Sequence, residues 1–385
     1  MAILKLLQNV RIFAPAELGV RDLLIADGRI ACIGEALPIP TGFGEVEVCD
    51  AGGKTLIPGL IDMHIHMLGG GGEGGPATRT PEITLSEITR YGVTTAVGVL
   101  GTDGTTRTMP ALLTKAKALE LEGITTFVYT GSYEVPTPTI TGKVRDDVIL
   151  IEKVIGVGEI AISDHRSAHP TLDELARLGM EARVGGMIGG KPGLLHLHIG
   201  PGKAGLTPIF DLLAKSDLPI QNILPTHCSR SKETLDQAVR LAKEGGQFDL
   251  TAGGRVCEHL SYVLKAGAPL DKVTISSDGN GSLPRFDAKG NFLGLGVGSV
   301  RTVFEAFVNM ITQMQMPISE ALHIVSCNQA RLLNLADRKG RIAPGADADL
   351  VLLTEDYSID KVWAKGRLMV DAGEPVVWGT FEGPR

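Results

Sequence analysis

The sequence predicts an α/β protein: a (β/α)8 TIM-like barrel carrying a small β-sandwich domain formed by both termini. Three observations predict it. The middle of the chain alternates short apolar runs with helix-period segments, about eight such pairs in about 270 residues, which is the size of a closed barrel. Both ends read instead as short strands and turns. Finally, polar residues able to bind a metal fall at the C-terminal ends of the strand-like runs, the face where barrels of this kind do their chemistry. An open doubly wound sheet shares the periodicity and is the architectural alternative.

Residues 1–54 contain VRIF and DLLIADGRIACIG, in which Asp27-Gly28 between two alternating runs marks a hairpin. Residues 346–385 have the same texture in ADLVLLT, KVWAKGRLMVDAG and PVVWGTF. The two ends are therefore expected to pair into one small domain, with residues 55–345 inserted between them as the barrel. Its strand candidates are TLIPGLIDMHIH, TTAVGVLG, ITTFVYTGSY, VGEIAISD, GLLHLHIG, NILPTH, FDLTA and KVTISSD. Helical patterns such as MPALLTKAKALELEG, TLDELARLGMEAR, KETLDQAVRLAKEGG and EHLSYVLKAG separate most of them. Residues 300–316 and 318–333 read as further helices packed outside.

The composition, 43% hydrophobic and 21% charged over 385 residues, is that of a globular protein with a substantial core. A net charge of −7 and the lack of a Lys/Arg run argue against nucleic acid or an anionic membrane as partner. No apolar run approaches a membrane span and MAILKLLQNVRIF lacks the order of a secretory signal, so a cytoplasmic location is expected. Five scattered cysteines suggest neither a disulfide framework nor a CxxC zinc site. Cys228, beside His227, is not favoured as a nucleophile.

His64 and His66 lie two apart at the end of the first strand candidate, so an extended chain points both the same way. Asp62 precedes them and a glycine-rich loop carrying one acid, Glu73, follows. An arbitrary pair of this spacing is more often two hydrogen-bonded core histidines. The metal reading wins because ligands recur downstream: Glu159 in the fourth strand, His198 ending the fifth, His227 the sixth and Asp278 the eighth. Imidazoles and carboxylates suit Zn²⁺ or a similar ion, and a carboxylate can bridge two. In LHLH, His198 is nearer the strand's end and is the expected ligand, with His196 behind it or in the core. His165, His169, His259 and His323 have no such placement.

At this point the chain resembles the amidohydrolase superfamily, in PGLIDMHIH, in His198 and His227, in SSDGNGS with Asp278, and in GRIAPGADADLVLL. LGGGGEGG, GTDGTTR, YTGSYEVPTPT, AISDHRSAHP, RVGGMIGGKPG, PTHCSR and SSDGNGSLP resemble, more narrowly, the isoaspartyl (β-aspartyl) dipeptidases, and the match covers nearly the whole chain. The resemblance implies a barrel with a small β domain, two zinc ions, hydrolysis of the isopeptide bond of β-aspartyl dipeptides, and a homo-oligomer, an octamer. One departure stands out. Where these dipeptidases carry a lysine, carboxylated by CO₂ to bridge the metals, this chain has Glu159. Its charge is the same and its reach shorter, so backbone or metals must come closer, and Gly158 would permit a local bulge. Glutamate there also suits a single ion, so the count stays open between one and two.

The expected chemistry follows. Two metals would lower the pKa of a shared water and hold it as a metal-bound hydroxide, one ion also polarising the scissile carbonyl. Asp278 would act as general base and then acid, returning the proton to the leaving amine. Tyr133, ending the third strand, would donate to the developing oxyanion, as its match in the family implies. Arg166 and Arg230 offer two-pronged grips for the substrate's carboxylates. Glu73 suits its ammonium, with the backbone at Gly71 in close approach; Thr102 and Ser282 match further polar contacts of the family. Taken singly, each charged residue would read as a solvated surface group. The rival readings are N-acetyl amino-sugar deacetylation, hydrolysis of a cyclic amide as in a dihydroorotase or hydantoinase, and a catalytically silent barrel serving as an assembly module. The last is disfavoured because every metal ligand is present.

Overall fold

The computed structural model describes residues 4–42, 44–286 and 292–383; the outermost residues of both predicted terminal segments, 1–3 and 384–385, lie outside the described residues. Among the described residues, eight parallel strands curl into a barrel: Leu60–Ile65, Val93–Gly98, Thr125–Thr130, Val154–Ile162, Leu194–Ile199, Ile223–Thr226, Phe248–Thr251 and Val273–Ser276. The first six pair in sequence order and the last two pair with each other. Backbone bonds stitch the two seams. Cys228 N donates to Asp249 O at 3.3 Å past the sixth strand, and His66 N donates to Gly279 O at 2.9 Å between the eighth and the first. Closure rules out the open sheet. Every residue of the first, second, fourth and fifth strands is buried, which is why these runs are apolar on both faces.

The predicted strand TLIPGLIDMHIH is two strands, divided at Gly59. Thr55–Pro58 pairs with Leu4–Phe13 and Leu350–Leu353 in the outer sheet, so the barrel begins at Leu60 rather than at residue 55. Pro58 has no N–H with which to continue a ladder. At Gly59 a Cβ would lie 2.2 Å from Thr94 Oγ1, so the chain turns where only glycine fits.

Strands from both ends share that outer sheet, nine of them among the described residues. It encloses its own core of Leu7, Val10, Ile12, Leu23, Ile25, Leu350, Leu352 and Trp363. The hairpin between Glu17–Ala26 and Arg29–Gly34 turns at Asp27 and Gly28, both at positive φ (47° and 76°), as a primed two-residue turn requires.

The predicted helices appear as Met109–Glu122, Leu172–Gly189, Lys232–Lys243 and Val256–Lys265. Leu172–Gly189 runs past its sequence pattern through Gly185 and Gly186, where glycine serves close packing: a Cβ on Gly186 would lie 2.7 Å from Gly193 Cα. The helix predicted over 318–333 carries a π-helical turn, His323–Cys327, in its middle. Among the described residues no helix is long and apolar enough to cross a membrane.

Candidate metal centre and catalytic pocket

The barrel brings all six predicted ligands to one mouth. His64 lies in the first strand and His66 just past it, Glu159 in the fourth, His198 in the fifth, His227 after the sixth and Asp278 after the eighth. His227 and Asp278 sit at φ 60° and 54°, left-handed backbone that non-glycine residues rarely adopt and that collects at functional sites.

Glu159 is the hub. Its Oε2 lies 3.3 Å from His198 Nδ1, 3.4 Å from His64 Nε2 and 3.6 Å from His227 Nε2, while Oε1 is 3.9 Å from His66 Nε2. Asp278 Oδ1 is 3.1 Å from His66 Nε2 and 3.6 Å from His64 Nε2. Two ligand atoms at about 2.1 Å from one tetrahedral ion stand about 3.4 Å apart. The spacing here matches. His64 Nε2 and Glu159 Oε1 are also buried with no hydrogen-bond partner among the described residues, a costly state for polar atoms unless an ion takes their lone pairs. The donor set therefore fits divalent metal, and the combinations His64/His66/Glu159, His64/His227/Asp278 and Glu159/His198/His227 each bring their ligand atoms within 4.8 Å of one another.

Hydrogen bonds on the far side of the imidazoles fix which nitrogen faces the cluster. His196 Nδ1 is 2.9 Å from Leu224 O, which can only accept, so His196 Nε2 is an acceptor for His64 Nδ1–H at 2.8 Å. His64 Nε2 is thereby left with its lone pair inward. His196 thus stands behind His64, on the side away from the cluster. His227 Nδ1 meets Thr251 Oγ1 at 2.6 Å, and His198 Nε2 meets Asp164 Oδ2 at 3.0 Å. Such partners hold ring and tautomer. Asp62 accepts from His64 N and Ser277 N, tying the first strand to the end of the eighth; burial lifts its pKa to about 7.

Electrostatics separate the imidazoles. Burial lowers His64, but Glu159 and Asp278 overcome it and bring the ring up to about 9, so these carboxylates call for positive charge at its inward nitrogen, a proton or the metal that would replace it. Burial dominates at His196 and His227, both pushed down to about 3 and so neutral, the ligand form. Burial opposes ionisation of Glu159 and Asp278 too, yet surrounding imidazoles hold both carboxyls well below their usual range.

Glu159 reaches this position through a bulge. Leu195 pairs with Val157 and Leu197 with Ile160, so Gly158 and Glu159 together face His196 alone. At Gly158 a Cβ would lie 2.7 Å from His196 Cβ and from its carbonyl oxygen.

Above the cluster opens a cavity of about 500 Å³ lined by Gly71, Glu73, Thr102, Tyr133, Arg166, Arg230, Asp278 and Ser282, every residue predicted for substrate or catalysis. Glu73 Oε1 accepts from Thr102 Oγ1 at 3.1 Å and Arg166 Nη1 at 3.2 Å, and Oε2 from Ser282 Oγ at 3.2 Å. Gly71, at φ 76°, has Thr78 O where a Cβ would stand, at 2.4 Å. The Tyr133 hydroxyl lies 2.7 Å from His198 Nδ1, and burial together with the charge of Glu159 keeps it protonated far above pH 10. Arg166 stacks 5.3 Å from the Tyr133 ring centroid.

Sequence reasoning missed three supports. Buried Arg107 donates to the carbonyls of Leu68, Gly70 and Thr80 and so shapes the glycine loop; its only signal was its place in GTDGTTR. Thr251 closes the strand Phe248–Thr251 within FDLTA, an ordinary strand end. Asp164 sits in AISDHR two residues before a predicted substrate arginine, Arg166.

A parallel barrel whose strand ends gather imidazoles and carboxylates beneath a charged cavity defines the class of metal-dependent amidohydrolases. Residues 195–369 match the amidohydrolase family model. The β-aspartyl dipeptidase of Fervidobacterium islandicum AW-1, solved with a β-Asp-Leu dipeptide, is 46% identical with a TM-score of 0.90, over 97% of this chain and 98% of that one. N-acetylglucosamine-6-phosphate deacetylase from Pasteurella multocida, 15% identical with a TM-score of 0.65 over 96% of this chain and 100% of its own, shares the fold. The imidazolonepropionase of Colwellia psychrerythraea is 23% identical over 87% of this chain and 85% of its own. The chain belongs to the β-aspartyl dipeptidase family of the amidohydrolase superfamily, and it is a hydrolase.

Proposed function

We propose that this chain hydrolyses the isopeptide bond of β-aspartyl dipeptides at a site holding two zinc ions that share Glu159. The observation that carries this reading is the charge pattern of the cavity: Glu73 and two guanidinium groups, Arg166 and Arg230, stand over the imidazole–carboxylate cluster, while the other acid of the lining above it, Asp103, is paired with Arg79 and Arg107. A β-aspartyl dipeptide has one ammonium and two carboxylates. The β-Asp-Leu bound by the Fervidobacterium relative supports the same assignment.

His64, His66 and Asp278 would hold one ion and His198 and His227 the other, and zinc there supplies an acidified water and a polarised carbonyl. Asp278, ionised throughout the neutral range, takes the proton from the attacking water and delivers it to the leaving amine. An amide nitrogen cannot depart without it. Tyr133, always protonated, donates to the carbonyl oxygen as that atom gains charge. Arg166 and Arg230 orient the carboxylates, and Glu73, held by Thr102 and Ser282, receives the ammonium. We further expect a homo-oligomer, an octamer, in keeping with the exposure of Leu121, Leu150, Met187 and Phe381; sedimentation equilibrium tests it.

The deciding experiment assays matched α- and β-linked Asp-Leu while metal content is measured on the same sample. Preference for the β linkage, lost with the zinc, is expected. Faster cleavage of the α linkage, or full activity after chelation, refutes the assignment.

A further inference from the structure

We propose that Asp164 is a positioning residue that ties substrate recognition to metal retention, one carboxylate holding both the His198 imidazole and the Arg166 guanidinium. The inference rests on the function proposed above. Asp164 follows the fourth strand at the mouth of the barrel, yet its side chain is 0% exposed. Oδ1 accepts from Arg166 N at 2.8 Å and Arg166 Nε at 3.0 Å; Oδ2 accepts from Arg166 Nη2 at 2.8 Å and His198 Nε2 at 3.0 Å. Both oxygens are thus engaged, and only Oδ2 spans the two side chains.

The surrounding chain is shaped for this carboxylate. Ser163 adopts φ 54°, unusual for a residue with a side chain, and so turns Asp164 inward. Across from it, a Cβ on Gly200 would lie 2.3 Å from Asp164 Cβ and 2.5 Å from Oδ2, and one on Gly202 would lie 2.4 Å from Ser163 O. Two glycines clear the space that Asp164 and its turn occupy. A counter-charge for Arg166 alone would need neither this room nor the His198 contact.

The consequence is chemical. An ionised carboxylate only accepts, so His198 Nε2 bears the ring proton and Nδ1 presents its lone pair to the cluster, 2.7 Å from the Tyr133 hydroxyl and 3.3 Å from Glu159 Oε2. The same anion takes Nε and Nη2 of Arg166 and leaves Nη1 in the cavity, 3.2 Å from Glu73. A shift of Asp164 therefore moves a metal ligand and a substrate grip together.

The test uses the zinc-loaded enzyme and two readouts: zinc affinity by competition with a chromophoric chelator without substrate, and the KM for β-Asp-Leu. Asp164→Asn should weaken zinc binding ~10–100-fold, the usual effect of losing a partner of a ligating histidine, and raise KM as well. Arg166→Lys should raise KM while zinc affinity stays within about twofold of wild type, because it leaves the Asp164–His198 bond in place. Should Asp164→Asn fail to fold, Gly200→Ala keeps the carboxylate but crowds it, and the same paired loss is expected. In Asp164→Asn, or in Gly200→Ala if that variant is the one that folds, zinc affinity unchanged beside a raised KM, or the reverse, overturns the inference. Wild-type protein that neither retains zinc nor cleaves β-Asp-Leu would sink the functional reading along with it; a normal wild type beside an indifferent variant sinks this inference alone.

Discussion

Glu73→Gln tests the substrate reading most directly, because it removes one charge and leaves the shape. The side chain is 28% exposed and keeps two hydroxyl partners, Thr102 and Ser282, that an amide can also satisfy. What glutamine cannot supply is an anion for the substrate's ammonium. Hydrogen bonds to charged groups contribute about 1.5–3 kcal/mol, and partial exposure to solvent places this one at the lower end, about 1.5–2 kcal/mol. That is about a 10–30-fold fall in kcat/KM for free-amino β-Asp-Leu. The Arg166–Glu73 pair is lost as well, but that loss is common to every substrate. N-acetyl-β-Asp-Leu, which has no ammonium, isolates the contact: its kcat/KM should change by less than about twofold. Both are measured by quantifying released leucine at substrate concentrations well below KM. An equal fall for the two substrates would show that Glu73 does not read the ammonium.

Asp278→Asn should retain zinc and most substrate affinity while turnover falls at least ~10²-fold, since it removes the proposed proton carrier; near-normal kcat assigns the proton to another group. Tyr133→Phe should lower kcat by ~10²–10³-fold with KM little changed, the usual effect of removing one donor to a developing oxyanion. Because the Tyr133 pKa is raised, its hydroxyl does not ionise below pH 10, so the pH–rate profile of the variant should keep the wild-type shape; a changed alkaline limb would count against a donor role. Finally, apoenzyme given zinc in CO₂-free buffer should recover full activity. A requirement for added bicarbonate would mean that something other than Glu159 completes the site.

The readable parts of the chain were those in which one short-range rule decides the outcome. Strand pleat alone aims His64 and His66 the same way, and the buried parallel sheet forces the apolar runs that revealed the strands. Asp27-Gly28 was legible because its turn needs two positive φ angles. The boundary at Gly59 was not, because its cause is Thr94, a neighbour in the adjacent strand much further along the chain. The extension of Leu172–Gly189 was hidden for the same reason: Gly185 packs against Val148 and Gly186 against Gly193, contacts that only the fold supplies. Asp164 escaped because a carboxylate after a strand reads as surface charge until His198 and Arg166 are seen converging on it.

Glu159, where the resemblance implies a lysine, joins sequence and site most closely. In a regular strand the pleat sets how far a side chain projects, and a glutamate falls short of the span that a carboxylated lysine covers. The bulge removes that limit: with Gly158 and Glu159 set against His196 alone, the backbone itself carries the carboxylate toward the barrel axis. It can do so because residue 158 has no side chain; a methyl group there would meet His196 at 2.7 Å. Gly158 and Glu159 thus work as a pair, and Gly158→Ala should weaken zinc binding although residue 158 touches no metal. If that variant kept wild-type zinc affinity, the bulge would not be what places the carboxylate, and the shorter reach of glutamate would need another explanation.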